Sequence, residues 1–113
     1  MLMMSKLLII TDERGIKMIP SHRTATHPGI ILLKEFIEPM EVTQKALALH
    51  VGIPVQRVNE IVRGKRGVSP NTAWLFSEAF KTTPEFWLNL QNTYDLSTHK
   101  PEIHIEPLQA INV

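Results

Sequence analysis

The chain of 113 residues has no cysteine, a single tyrosine, two tryptophans and five glycines. Without cysteine there is no disulfide framework, no thiolate zinc site and no cysteine nucleophile, which suits a reducing compartment such as the cytoplasm. A long apolar run is also missing. Leu7-Leu8-Ile9-Ile10 is followed at once by Asp12 and Glu13, whereas a secretory core needs about 7–15 apolar residues and a membrane span about 20. Neither a leader nor a membrane segment is expected. Arg63-Gly64-Lys65-Arg66-Gly67 is not a Walker phosphate loop, and Ser69 and Ser77 have no nucleophile motif around them. An enzyme is therefore not expected, nor a cofactor. The histidines do not suggest a metal: His22 with His27, and His99 with His104, stand five apart, and His50 is alone. That spacing is not an i,i+4 helical pair, and without cysteine it makes no zinc-finger arrangement.

What is present is ordinary for one globular domain, 43% apolar and 20% charged with a net charge of +1. The distribution of charge says more. Residues 51–67 hold Arg57, Arg63, Lys65 and Arg66 against Glu60, a local +3, and residues 68–97 hold Glu78, Glu85 and Asp95 against Lys81, a local −2. A basic stretch in a balanced chain reads as a face for an anion or as a solvated loop.

Residues 1–26 show no sustained period. Lys6 to Ile10 could form a short strand, the run from Ser21 to His27 reads as linker, and Met18 is an alternative start. From Pro28 the pattern is helical, with Ile30, Leu33 and Ile37 on one stripe, Leu32 and Phe36 beside it, and a stop at Pro39. Thr43 caps a second helix that carries Leu47, Ala48 and Val51 inward and ends at Gly52. A third starts at Pro54, carries Val55, Val58, Ile61 and Val62, and ends at Gly64. Ser69-Pro70 opens a fourth with Ala73, Trp74, Phe76, Ala79 and Phe80. Thr83-Pro84, or a capping box from Thr82 to Glu85, opens a fifth with Phe86, Trp87, Leu90 and Tyr94 inward. The spacing predicts an all-α, compact five-helix bundle. The tail from His99 to Val113 alternates Glu102-Ile103-His104-Ile105-Glu106 between Pro101 and Pro107, and reads as a short extended segment or a disordered end.

The most specific signal lies between Gln44 and Arg63. Ala48 is small where two helices approach, Gly52 follows four residues later at the turn, and Leu47, Val51, Ile53, Val58 and Ile61 are apolar where the pair buries its inner faces. Gln56, Arg57, Asn59, Glu60 and Arg63 are polar on the outside. This is the pattern of a DNA-binding helix-turn-helix, whose second helix lies in the major groove. Arg pairs with guanine and Gln or Asn with adenine, each good pair giving roughly 1–3 kcal/mol of discrimination. Gln56, Arg57 and Asn59 are the candidate base readers, with Val55 against a thymine methyl. Thr43 and Gln44, Arg63, Lys65 and Arg66, and Asn71 and Thr72 at the start of the fourth helix are the candidate backbone contacts. The competing reading of Arg57 and Glu60 is a surface i,i+3 pair.

Three stretches, His27-Pro28-Gly29-Ile30, Val58 to Ser69 (VNEIVRGKRGVS) and Thr83 to Gln91 (TPEFWLNLQ), resemble the XRE (Cro/C1-type) helix-turn-helix family, and more closely its HigA/VapI antitoxin branch. The resemblance covers about residues 27–97 and implies a lambda-repressor-like, dimeric protein. Such a protein neutralises a HigB-like mRNA-cleaving toxin and represses its own operon at a palindromic operator. The base-reading positions match the family's DNA-facing ones. The chain then divides into an N-terminal extension (1–26), a DNA-binding domain (27–98) and a C-terminal tail (99–113); neither extension matches the pattern. Trp87, Leu90 and Tyr94 are the candidate dimer contact, while Trp74, Phe86 and Trp87 read as core or dimer contact rather than as a stacking platform for single strands. Three readings stay open: an antitoxin, a free-standing repressor without a protein partner, and an interaction module that has lost DNA binding.

Overall fold

A computed structural model describes residues 25–109. The short strand at Lys6 to Ile10, the alternative start at Met18 and most of the 1–26 extension lie outside the described residues.

His27 opens the first helix by accepting the Gly29 amide on its Nδ1 at 2.8 Å. Pro28 takes the next position, where a missing N–H costs nothing. This helix, α1, runs as Pro28–Ile31, Leu32–Ile37 and Glu38–Met40, with the middle stretch wound as a π-helix. The expected stop at Pro39 comes too early, since the run continues to Met40 and ends on left-handed Glu41 (φ 57°). The wide turn ahead of the proline, which Glu38 N–H closes on the Leu33 carbonyl, gives its ring room that an α register denies.

The other four helices begin where the caps predict. Thr43 Oγ1 accepts the Ala46 amide at 2.9 Å and opens α2, Gln44–Val51. Pro54 precedes α3, Val55–Val62. Ser69 caps α4, Pro70–Phe80, and Thr83 caps α5, Pro84–Thr98, accepting the Phe86 amide at 3.1 Å. Thr82, the other candidate cap, instead accepts Trp87 Nε1–H at 2.8 Å. Among the described residues there is no strand, and no helix is long and apolar enough to cross a membrane.

α2 packs on α3 and α4 on α5, while α1 lies against both α3 and α5. Leu32, Phe36, Leu47, Val58, Ile61, Phe76 and Trp87 fill the space between them. The aromatic centre is Trp87, with the rings of Phe76 and Phe36 at 5.2 and 5.3 Å. Burying such side chains contributes roughly 1.5–3 kcal/mol each.

This core corrects two expectations. Trp87 has no exposed surface and Leu90 only 6%, so neither can meet a second copy. Tyr94 is half-buried, with its ring edge-on to His27 at 4.7 Å. The face that α5 leaves outside holds Glu85, Asn89, Asn92 and Leu96, which is no apolar stripe. Trp74, in contrast, is 58% exposed rather than core. Ala73, Phe76, Ser77 and Phe80 occupy the inward i, i+3, i+4, i+7 positions of α4, and Trp74 falls a quarter-turn away from them. Beyond α5, residues 99–109 form neither helix nor strand and are exposed.

Candidate nucleic-acid interface

Two glycines set the geometry of α2 and α3 for different reasons. Gly52 adopts φ +81° with nothing near the position of a Cβ, so backbone conformation alone selects it. Its amide and that of Ile53 both close on the Ala48 carbonyl, at 2.8 and 3.0 Å. Gly29 is selected by space: a Cβ there would sit inside the Ile61 carbonyl oxygen. The first helix therefore presses its opening turn directly on the backbone of α3. Ala48, 2% exposed, supplies the close approach on the α2 side.

Along α3, Val58 and Ile61 are buried without exposure, and the opposite positions face out. Val55 is 46% exposed; Gln56 is exposed, and Arg57 and Asn59 are half-buried. Asn59 is not independent. Its Nδ2 donates to Gln44 Oε1 at 3.2 Å, tying α3 to the first turn of α2. The candidate phosphate contact and the candidate base reader thus form one amide pair, a link fifteen residues long that no local pattern signals. Arg57 has no ion pair with Glu60. Glu60 instead binds Arg66 Nε at 2.7 Å and accepts from Gln56 Nε2 at 3.4 Å. The hydrogen bond from Arg66 holds the Glu60 carboxyl below its ordinary pKa against desolvation, helped by the charge of Arg66, the hydrogen bond from Gln56 and the charge of Arg57.

α3 ends in a Schellman turn. Gly64 (φ +76°) donates to the Ile61 carbonyl at 3.0 Å and Lys65 to the Glu60 carbonyl at 2.8 Å. Arg63, Lys65 and Arg66 are thereby carried on an exposed, fixed corner. The loop beyond is pinned by a residue that sequence reasoning missed. Gln91 on α5 is buried, accepts the Val68 amide on Oε1 at 2.7 Å and donates from Nε2 to Asp95 at 2.8 Å. Gly67 lies against that side chain, where a Cβ would stand 2.9 Å from it. At the start of α4, Asn71 is exposed, but Thr72 is 2% exposed and its amide goes to Ser69 Oγ at 3.3 Å. Thr72 is therefore a capping partner and has no amide to offer a phosphate. Thr43 is exposed with its oxygen engaged in its own cap. What the corner and the outward side of α3 offer together is a cationic rim beside a helix of hydrogen-bonding side chains, the combination that tracks phosphates and reads base edges.

The family model described as Helix-turn-helix matches residues 33–87. Virulence-associated protein I of Dichelobacter nodosus is 42% identical over 89 residues, 79% of this chain and 78% of that protein. The chain belongs to the XRE-type helix-turn-helix family. Two solved antitoxin structures are similar to this helix-turn-helix protein. Pseudomonas aeruginosa antitoxin HigA with the higBA promoter has a TM-score of 0.69 at 38% identity, over 74% of this chain and 98% of that one. Antitoxin GraA in complex with its operator has a TM-score of 0.72 at 36% identity, over 82% of this chain and 100% of that one.

Proposed function

We propose that the protein is the cytoplasmic antitoxin of a type II toxin–antitoxin pair, which binds a HigB-like mRNA-cleaving toxin and, as a homodimer, represses its own operon. The observation that carries the DNA-binding half is the corner built by Gly64, which holds Arg63, Lys65 and Arg66 beside the outward Gln56 and Arg57 of α3. The likeness to antitoxins solved with operator or promoter DNA supports the same reading. Val55, Gln56 and Arg57 read bases, and Asn59 reads them as a unit with Gln44. Arg63, Lys65, Arg66 and Asn71 hold the flanking backbone. Lys65 and Arg63 lack an acidic partner among the described residues, so they offer full charge to phosphate, whereas Arg66 must first share or leave Glu60.

Two measurements test the two halves. Mobility shift on the DNA upstream of its own gene should show specific binding that weakens steeply from 50 to 200 mM salt; equal affinity for unrelated DNA rejects the operator. Gentle affinity purification from the native host should return a small basic protein, encoded next to the gene, at near-equal stoichiometry. A clean homodimer without one leaves a free-standing repressor.

A further inference from the structure

The DNA-binding unit is complete before the chain ends. The helix-turn-helix match stops at residue 87, and the last contact that ties the chain to α5 is made by His99, whose amide reaches the Asp95 carbonyl at 3.0 Å. Beyond it, among the described residues, no side chain from Lys100 to Gln109 bonds to the helical body. The one polar contact there is internal, His104 Nε2 to Glu106 Oε2 at 2.9 Å. That contact spans i to i+2 and puts both side chains on one side of the chain over 104–106, after bends at Glu102 and Ile103. Ile103 and Ile105, which a strand over this stretch would place on the other side, are 74% and 76% exposed, and Leu108 is 100% exposed. Pro101 and Pro107 bracket the stretch, leaving five consecutive residues, 102–106, that each keep a backbone donor. Five residues is the ordinary length of a strand. It cannot stand alone, because isolated strands leave both backbone edges and their apolar face to water.

A second copy is a poor occupant for that edge. The antiparallel register that keeps all of 102–106 mutually opposed is centred on His104, and it sets Glu102 of each copy against Glu106 of the other. In-register parallel pairing sets Glu102 on Glu102 and Glu106 on Glu106. Like charges directly opposite destabilise a ladder. Shifting an antiparallel pair by one residue about its centre brings Pro101 or Pro107 into the ladder, where a donor is lost. The two glutamates instead complement a cationic edge.

We infer that residues 102–106 add as a strand to an exposed sheet edge of a basic protein partner, with Ile103 and Ile105 seated in apolar pockets and Glu102 and Glu106 paired to basic side chains. The inference rests on the antitoxin reading and names the small basic protein of that reading as the partner. It gives the tail and the DNA-binding face separate tasks on one chain.

The test uses the full chain and its complex with the small basic protein encoded next to the gene. Hydrogen exchange over 102–106 should slow at least tenfold on complex formation. Ile103→Asp with Ile105→Asp should lower partner affinity at least tenfold, and so should Glu102→Lys with Glu106→Lys, while operator affinity stays unchanged. Among the described residues no side chain from Lys100 to Gln109 bonds to the helical body, so unchanged operator binding also reports that the variants are folded. A complex in which 102–106 exchanges freely, or in which both variants bind normally, overturns the inference and leaves the antitoxin reading standing. Tail protection that rises with concentration in the partner-free chain assigns the strand to a second copy and overturns it as well. If the small basic protein does not bind the wild-type chain, the antitoxin reading fails and the inference falls with it.

Discussion

Arg57 and Lys65 stand only eight positions apart, yet the site separates what each can do for DNA. Arg57 projects from the outward face of α3, where a guanidinium can pair with two acceptors on one guanine. Lys65 sits on the corner beyond the helix and is a point charge. Arg57→Ala should therefore cost roughly 1–3 kcal/mol and relax sequence choice at one position of each half-site. Lys65→Ala should weaken all sequences alike and flatten the salt dependence by about one unit. Titration against a set of single-base operator variants at several salt concentrations checks both; unaltered base preference in Arg57→Ala, or altered preference in Lys65→Ala, reverses the assignment. His27 makes a different kind of residue-scale prediction. Burial lowers its pKa, with Asp95 opposing, and its Nδ1 must stay unprotonated to accept the Gly29 amide. The unfolded chain thus binds a proton more readily than the folded one. Stability is full above about pH 6.5 and is lost as pH falls through the lowered folded pKa. Tm should drop between pH 7.5 and 5.5, and His27→Asn, which keeps a capping acceptor but does not titrate, should reduce that drop. An identical slope in the variant shows that another group governs the acid response.

Among the elements, the loop between α3 and α4 depends on α5 for its shape. Gln91→Leu fills a similar volume but leaves the buried Val68 amide unsatisfied, which costs about 1–3 kcal/mol and frees the corner that carries Lys65 and Arg66. Urea unfolding should register the destabilisation, and operator affinity should fall although residue 91 is buried; unaltered stability would show that water replaces the amide. This staple marks where the sequence stops being legible. The caps at Thr43, Ser69 and Thr83 and the turn at Gly52 act within a few residues, and the five helices could be read from them. The partner of Gln91 is 23 residues away and that of Asn59 is 15 away, so both looked like ordinary polar positions. Trp74 and Trp87 show the same limit on the apolar side. Both are bulky and helical, and only the stacking of α4 on α5 and α1 decides that Trp87 lies at the centre while Trp74 faces out. The π-turn in α1 was hidden for another reason, because Pro39 signals a break in an α register and says nothing of a wider one.

At the scale of the whole molecule, the operator should report the symmetry of the assembly. One copy presents a single short reading helix, α3, of eight residues, which limits a monomer to one half-site. A two-fold dimer places two such helices in successive major grooves on one face of the duplex, with half-site centres about 34–36 Å apart, about 10–10.5 base pairs, or a multiple of that. Engagement of the second half-site is then intramolecular and gains affinity without new contacts. Inserting five base pairs between the half-sites turns one groove to the far side of the duplex. Binding should fall to the level of a single half-site, and inserting ten should recover part of it. The buried positions of Trp87 and Leu90 remove the stripe of α5 first expected to join the copies, so the proposed dimer would use another face, and the spacing experiment does not depend on which. Affinity indifferent to the five-base-pair insertion would mean that each copy binds alone, and repression would then rest on a single contact of α3 with its groove.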